Sequence, residues 1–341
     1  MSHRVFHAWD GSNGEIGKLI DAQAPCPISG QHAAIVLCDR DRYGYPLRTV
    51  ISQATGLVYT DPRADNDSLD DFYRSAYRRY YKSAAKPKWK HTARNAYIAG
   101  QRVEMIRTLA PRGSTVLDIG TGSGELLYVG RRSGLEMQGV EVDQAYAQFG
   151  RKSYGVKIIN ESLRSVTLPD QHFDVVTIFH VLEHLPDPHA ALAKISATLK
   201  PGGYVLIEVP NVESLDTRFR QKWHPGHLFH FNCHTLPALA NACGLETLSV
   251  HTCQRKNVVG ATLIKPRKPI ESCWETLVAN NFENTLQLLR SQANQNWYTN
   301  WYERLGRAGQ KMQRNLCEWT ISLSEGSRRK LVDKITQNRA A

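Results

Sequence analysis

An α/β fold organised around a doubly wound, mainly parallel sheet is what this sequence predicts, and two observations predict it. Between residues 115 and 209 short apolar runs alternate with amphipathic helical patterns. At the first of those runs, VLDIGTGSGELL over residues 116–127, a strand breaks into glycines at alternate positions and resumes as a helix.

Val116, Leu117 and Ile119 suit a parallel strand buried on both faces. Gly120, Thr121, Gly122, Ser123 and Gly124 then reverse the chain into a helix starting near Glu125. Glycines leave room for a ligand against the backbone, and a helix N-terminus attracts its polar groups, so this is the nucleotide corner of an open sheet. An ordinary strand-turn-helix with loop glycines is the plainer reading of this segment by itself. The next strand, MQGVEV over residues 137–142, narrows the choice by placing Glu141 at its C-terminal end. An acid about 20 residues beyond such glycines binds the two ribose hydroxyls. The spacing is GxGxG and not the dinucleotide GxGxxG, which favours a nucleoside without pyrophosphate.

Two further strands continue the rhythm. FDVVTIF ends in His180, Val181, Leu182, Glu183 and His184. Asp187 caps the following helix, Pro188 takes its first position, and Leu192, Ile195 and Leu199 form its apolar stripe. Lys200, Pro201, Gly202 and Gly203 are expected to stop that helix, and residues 204–209 form the next strand, ended by Pro210 and Asn211. Ligands of such sheets bind at the carboxyl ends of the strands.

VLDIGTGSG, GVEVD, FDVVTIFHVLEHLPDP and LKPGGYVLIEVPN together resemble class I S-adenosylmethionine-dependent methyltransferases, in particular the bacterial small-molecule branch of ubiquinone-type and sugar methyltransferases. The resemblance implies a Rossmann-like sheet of seven strands, parallel with one antiparallel strand, closed by residues 245–253 and 258–264. It further implies that Asp118, Gly120, Thr121, Gly122 and Gly124 line the methionine end of the cofactor and that Glu141 holds the ribose. Ser162 and Leu163, after a strand at 156–159, would flank the adenine, and His180 would lie near the sulfonium. The cofactor implied is S-adenosylmethionine, leaving as S-adenosylhomocysteine, with no metal expected.

The flanks carry further expectations. Cys26 and Ser29 before Gly30, and Ser52 and Thr55 before Gly56, resemble the two Cys-x-x-Cys-Gly knuckles of a zinc ribbon. Hydroxyls do not replace thiolates in a tetrahedral zinc site, so a ribbon-like β fold without zinc is expected. Residues 70–106 interleave Tyr73, Tyr77, Tyr80 and Tyr81 with lysines, which reads as a helical lid over the cofactor in preference to a nucleic-acid grip. RFRQKWHPGHLFHF brings His224, His227 and His230 close together, with His234 beyond. Three readings stay open for this loop: a general base, with His227 the best candidate; a metal site; and structural packing. Glu183 and His184 rank behind His227. From residue 270 the pattern is helical, with stripes through Leu286 and Leu289 and then Trp297, Trp301, Leu305, Met312, Leu316 and Trp319. Pairing of two subunits is the favoured use of these helices, with packing on the chain itself as economical. The plan is therefore a ribbon-like segment (1–68), a helical lid (69–110), a methyltransferase domain (111–266) and a helical extension (267–341).

With 341 residues the chain can bury a sizeable core. Its longest apolar runs are far short of the roughly 20 residues that span a bilayer, and no basic-then-apolar leader opens it, so a cytoplasmic location is expected. Seven scattered cysteines suit reduced thiols. A net charge of +11 suits nucleic acid, lipid or phosphorylated metabolites equally. A small-molecule acceptor, such as a sugar, a nucleotide-linked sugar or another anionic metabolite, is the favoured substrate. Nucleic-acid methylation is the rival, and His-Val-Leu-Glu-His in place of an Asn/Asp-Pro-Pro-aromatic motif argues against amino-group base methylation. A catalytically silent cofactor-binding or assembly protein is the alternative from another class.

Overall fold

The computed structural model describes residues 16–63, 87–253, 257–294 and 327–337. Four antiparallel strands come first: β1 (Leu19–Asp21), β2 (Ala33–Arg40), β3 (Pro46–Ser52) and β4 (Val58–Thr60). Helix α1 (Trp89–Leu109) leads into the alternating stretch β5 (Thr115–Ile119), α2 (Glu125–Arg132), β6 (Glu136–Val140), α3 (Gln144–Tyr154), β7 (Lys157–Ile159), β8 (Phe173–Phe179), α4 (Pro188–Thr198) and β9 (Leu199–Pro210). There follow a short α5 (Phe219–Lys222), the two-residue β10 (Phe229–His230), α6 (Thr235–Ala242), β11 (Glu246–Cys253), β12 (Val258–Ile264), α7 (Trp274–Leu277), α8 (Asn281–Asn294) and α9 (Arg328–Gln337).

These elements form two compact units, residues 73–166 with 295–341, and residues 1–72 with 167–294. The division cuts across the plan expected from sequence. In the first of these units β5, β6 and β7 are parallel, with Asp118 opposite Gly139 and Gly139 opposite Ile158. Val116, Leu117 and Ile119 are buried as their double-sided apolar pattern requires. Asp143 caps α3 by accepting the Tyr146 N–H at 2.9 Å. Helix α9 closes this unit on α1, α2 and α3. Its Arg328 stacks over the Trp89 ring at 4.6 Å and donates to Thr92 Oγ1 at 2.7 Å. Asp333 accepts the Tyr128 hydroxyl at 2.7 Å and pairs with Arg132. The apolar residues Leu331 and Val332 of α9 are buried within this unit. The stripe from Trp297 to Trp319 and the lid tyrosines lie outside the described residues; from Trp89 onward the expected lid is helix α1, packed on α2.

In the other unit the strand order is β11-β12-β9-β8, with β8 parallel to β9 and β12 antiparallel to both of its neighbours. Four strands here and three in the first unit make up the expected seven, with β12 the antiparallel one. One boundary differs from expectation. Lys200 to Gly203 does not separate helix from strand, because β9 already begins at Leu199. Gly202, at φ +85°, lets the chain bend while its N–H donates to the Lys265 carbonyl at 2.7 Å and the Lys265 N–H donates to Gly203 at 2.8 Å.

The same unit carries a second sheet of order β1-β2-β3-β4-β10. Its last strand comes from the histidine loop: Phe229 lies opposite Tyr59, and His230 opposite Val58. Trp223, Leu37, Ile51, Val58, Val212, Leu286 and Leu289 share one core, so α8 packs on the ribbon. Both expected knuckle turns are present, with Gly30 and Gly56 each at φ +71° and each donating its N–H to the residue four before it. Cys26 Sγ lies 3.3 Å from Thr55 Oγ1, and Ser29 Oγ accepts the Gln31 N–H. One thiol and three hydroxyls do not fit a structural zinc, and hydrogen bonds hold the knuckles. Among the described residues no helix is long and apolar enough to cross a membrane.

Candidate functional site

Most of the residues expected to hold the cofactor gather at the carboxyl ends of β5, β6 and β7, within one unit. Gly120, Gly122 and Gly124 have φ of +70°, +61° and +84°, conformations that side chains rarely adopt, which is why the turn needs glycine at alternate positions. The N–H groups of Gly120 and Thr121 both donate to the Val140 carbonyl, at 2.8 and 3.1 Å, and tie the turn to β6. Glu141, just past β6, accepts the Gly122 N–H at 2.6 Å through Oε2 and the Asp143 N–H at 2.9 Å through Oε1. Asn160 holds the same stretch by donating to the carbonyls of Glu141 and Val142. Asp118 is buried at the end of β5. Ser162 and Leu163, both buried, follow β7, where Ser162 Oγ accepts the Ser165 N–H at 3.2 Å.

Two features fit an adenosyl ligand. Helix α2 starts at Gly124 without a side-chain cap, which leaves its first amides to other acceptors. Thr121 Oγ1 is buried with no hydrogen-bond partner among the described residues. Sequence reasoning missed Glu125, the first residue of α2. It is fully enclosed, and burial pushes its carboxyl above the usual range although Ser123 Oγ donates to it at 2.6 Å and the Tyr154 hydroxyl at 3.3 Å. Its place directly after the glycines is the one signal that could have marked it.

His180 belongs to the other unit, at the end of β8, with a φ of +56° and an exposed ring. A 3-10 turn at Leu182–His184 follows and buries Glu183, which is 1% exposed. Glu183 Oε1 stands 3.8 Å from His180 Nδ1 and 3.6 Å from His184 Nε2. Its Oε2 is buried without a hydrogen-bond partner among the described residues. The histidine loop is fastened to this turn at two points. Leu228 N–H donates to the Glu183 carbonyl at 2.8 Å, and His184 Nδ1 bonds the Gly226 carbonyl at 2.5 Å. His227 then stacks on His224, with centroids 4.7 Å apart, and meets His184 edge-on at 4.8 Å. His230 lies 6.2 Å from His227 and edge-on to the buried Trp223. His234 is exposed, its ring beside the Leu277 carbonyl. Glu183 and His184, ranked behind His227 by sequence, thus share one cluster with it.

Burial first, and then neighbouring imidazoles for His224 and His227 and the Lys222 ammonium for His230, hold the three loop histidines in the neutral form. His224 is pushed down to about 3, His230 to about 3 with Lys222 contributing, and His227 far below its usual value. A proton acceptor works best with a pKa near the operating pH, so these rings are poor free bases at neutrality. Desolvation is the physical reason the expected base role does not follow from the spacing. The linkage has a definite sign: His230 takes its proton near pH 6.5 when unfolded and near 3 when folded. Between those values the unfolded chain binds more protons, and stability falls as pH falls, by about 1.4 kcal/mol per pH unit for this residue. Urea midpoints measured from pH 7 to pH 4 should drop accordingly, and His230→Gln should flatten the slope. An equally steep slope in that variant would refute the assignment.

Comparison with known proteins follows the same lines. Residues 89–250 match the methyltransferase domain family. A ubiquinone biosynthesis O-methyltransferase from Ralstonia nicotianae is 32% identical over 156 residues, covering 44% of this chain and 63% of the relative. One of the same description from Alkalilimnicola ehrlichii is 31% identical over 105 residues, covering 29% and 42%. The chain spans about half the length of the curated relatives it matches. Among solved structures, the Burkholderia thailandensis 1,6-didemethyltoxoflavin-N1-methyltransferase aligns with a TM-score of 0.47 at 18% identity, over 62% of this chain and 96% of that one.

Proposed function

We propose that this chain, whose residues 89–250 match the methyltransferase domain family, transfers a methyl group from S-adenosylmethionine to a hydroxyl of a small-molecule acceptor. The observation that carries the reading is the turn of three left-handed glycines latched to Glu141 through the Gly122 amide. That latch presents backbone to one side of a nucleoside and a carboxylate to its ribose. Asp118, Thr121 and the uncapped start of α2 face the methionine part, and Ser162 and Leu163 border the adenine.

The sulfonium supplies a methyl group with a good leaving group. The protein's part is therefore alignment of the acceptor with that methyl. The histidine loop, with His227 beside His184, fits a segment that shapes the acceptor side. A hydroxyl acceptor is favoured because the curated relatives are O-methyltransferases by description, and the net charge of +11 suits an anionic one.

Calorimetric titration with S-adenosylhomocysteine is the direct test, with one site per chain expected. Radiolabelled methyl from the donor should then appear in a phenolic or sugar hydroxyl. No heat of binding at millimolar ligand would end the proposal; binding without turnover on any acceptor pool would leave the silent binding protein as the better account.

A further inference from the structure

We propose that Glu183, His184 and His227 form a site for a divalent transition-metal ion, with zinc the best match to their donors. One ligand atom from each of the three lies within 4.8 Å of the others. Two imidazoles and a carboxylate are a common zinc donor set, and in such three-donor sites a fourth position remains for water or for an oxygen of a substrate.

Three independent observations point to a cation. The first is the tautomer of His184. A carbonyl can only accept, so the 2.5 Å bond to Gly226 puts a proton on Nδ1, and in the neutral ring the lone pair is then on Nε2. That lone pair faces Glu183 Oε1 at 3.6 Å. Two acceptors set against each other repel, and a positive ion between them turns the repulsion into two bonds. A ring fixed through Nδ1 to a backbone carbonyl is also how metal-binding histidines are oriented.

The second is the carboxylate itself. Glu183 is 1% exposed, its Oε2 has no hydrogen-bond partner among the described residues, and Oε1 stands 3.8 and 3.6 Å from the His180 and His184 rings, beyond hydrogen-bond distance. A buried charge left in this state costs several kcal/mol and is normally paired or bound to a metal. The third is the surrounding cluster. His227 is ringed by His184, His224 and His230, so several imidazole nitrogens converge beside the carboxylate. His224 is not a ligand: its Nδ1 accepts the Gly226 N–H at 3.0 Å, which leaves the proton on Nε2.

The site is built from the turn after β8 and the histidine loop and uses none of the glycine-turn residues, so it is tested by metal content and not by methyl transfer. Full-length protein stripped with a chelator should take up one equivalent of Co2+, displaced by Zn2+. Its visible spectrum should be that of a four-coordinate ion without the near-ultraviolet thiolate band that a cysteine ligand would add. Glu183→Gln and His227→Ala should each weaken Zn2+ binding by at least about 100-fold, more than loss of a group merely supporting a ligand. His234→Ala should not change it. Glu183→Gln keeps the shape of the side chain, and an unchanged circular dichroism spectrum separates lost binding from lost folding. Failure to take up a stoichiometric ion, a thiolate band, or equal affinity in Glu183→Gln would each overturn the proposal.

Discussion

Glu141→Ala should raise the dissociation constant for S-adenosylhomocysteine by at least about 100-fold. The carboxylate has two tasks that the substitution removes together. It holds the glycine turn through the Gly122 N–H at 2.6 Å, and in the proposed complex it takes the ribose hydroxyls. A hydrogen bond to an ionised group contributes about 1.5–3 kcal/mol, so loss of two such bonds corresponds to a factor of 100 or more. Glu141→Gln keeps an acceptor oxygen but loses the charge, and should fall between. Calorimetry on both variants checks the order. Near-native affinity in Glu141→Ala would mean that β6 does not carry the ribose-binding acid.

Gly56→Ala should be a highly damaging single-methyl change in the ribbon, at about 2–4 kcal/mol. Gly56 sits at φ +71°, where a Cβ is strained by roughly 1 kcal/mol. The added carbon would also stand 2.5 Å from Asn281 Nδ2 and 2.9 Å from the Asn281 backbone carbonyl carbon, at the start of α8. Asn281 is not free to yield: its Nδ2 donates to Thr55 at 2.8 Å and its Oδ1 accepts from Asn232 at 2.9 Å, and it is 1% exposed. Overpacking of this kind typically adds about 1–3 kcal/mol. At Gly30, with the same φ, an added Cβ would meet nothing within 4 Å, so Gly30→Ala should cost only the strain. Urea denaturation of the pair separates the two terms. Equal losses would show that the contact with α8 contributes nothing.

The glycine turn was legible because its backbone demands it. Left-handed conformations at 120, 122 and 124 force glycine, and glycine at alternate positions is visible in any sequence. The place of Glu141 at the end of β6 was legible by spacing, and Asp187 and Pro188 by the chemistry of helix starts; Asp187 accepts the Ala190 N–H at 2.8 Å as a cap should. The histidine loop was legible only as a cluster. Which rings meet depends on a two-residue strand, Phe229–His230, too short to show any period. Its partner β4 lies far away in sequence. The orphaned oxygen of Glu183 left no trace either, since a buried and an exposed glutamate read alike. The start of β9 was misplaced because Lys-Pro-Gly-Gly signals a break, whereas pairing with Lys265 and the bend at Gly202 keep those residues in the strand.

The pairing of β4 with β10 also sets an order of events during synthesis. The ribbon emerges first, and until Phe229 and His230 arrive the outer edge of β4 presents unpaired amides and carbonyls. Such an edge recruits whatever strand is nearest, from this chain or another. Its three-residue length limits that hazard while it waits. The histidine loop, made later, sets its last two residues, Phe229 and His230, against that waiting edge. The ribbon therefore acts as a template for the acceptor side, and mistakes in its folding should surface as misplaced histidines far along the chain.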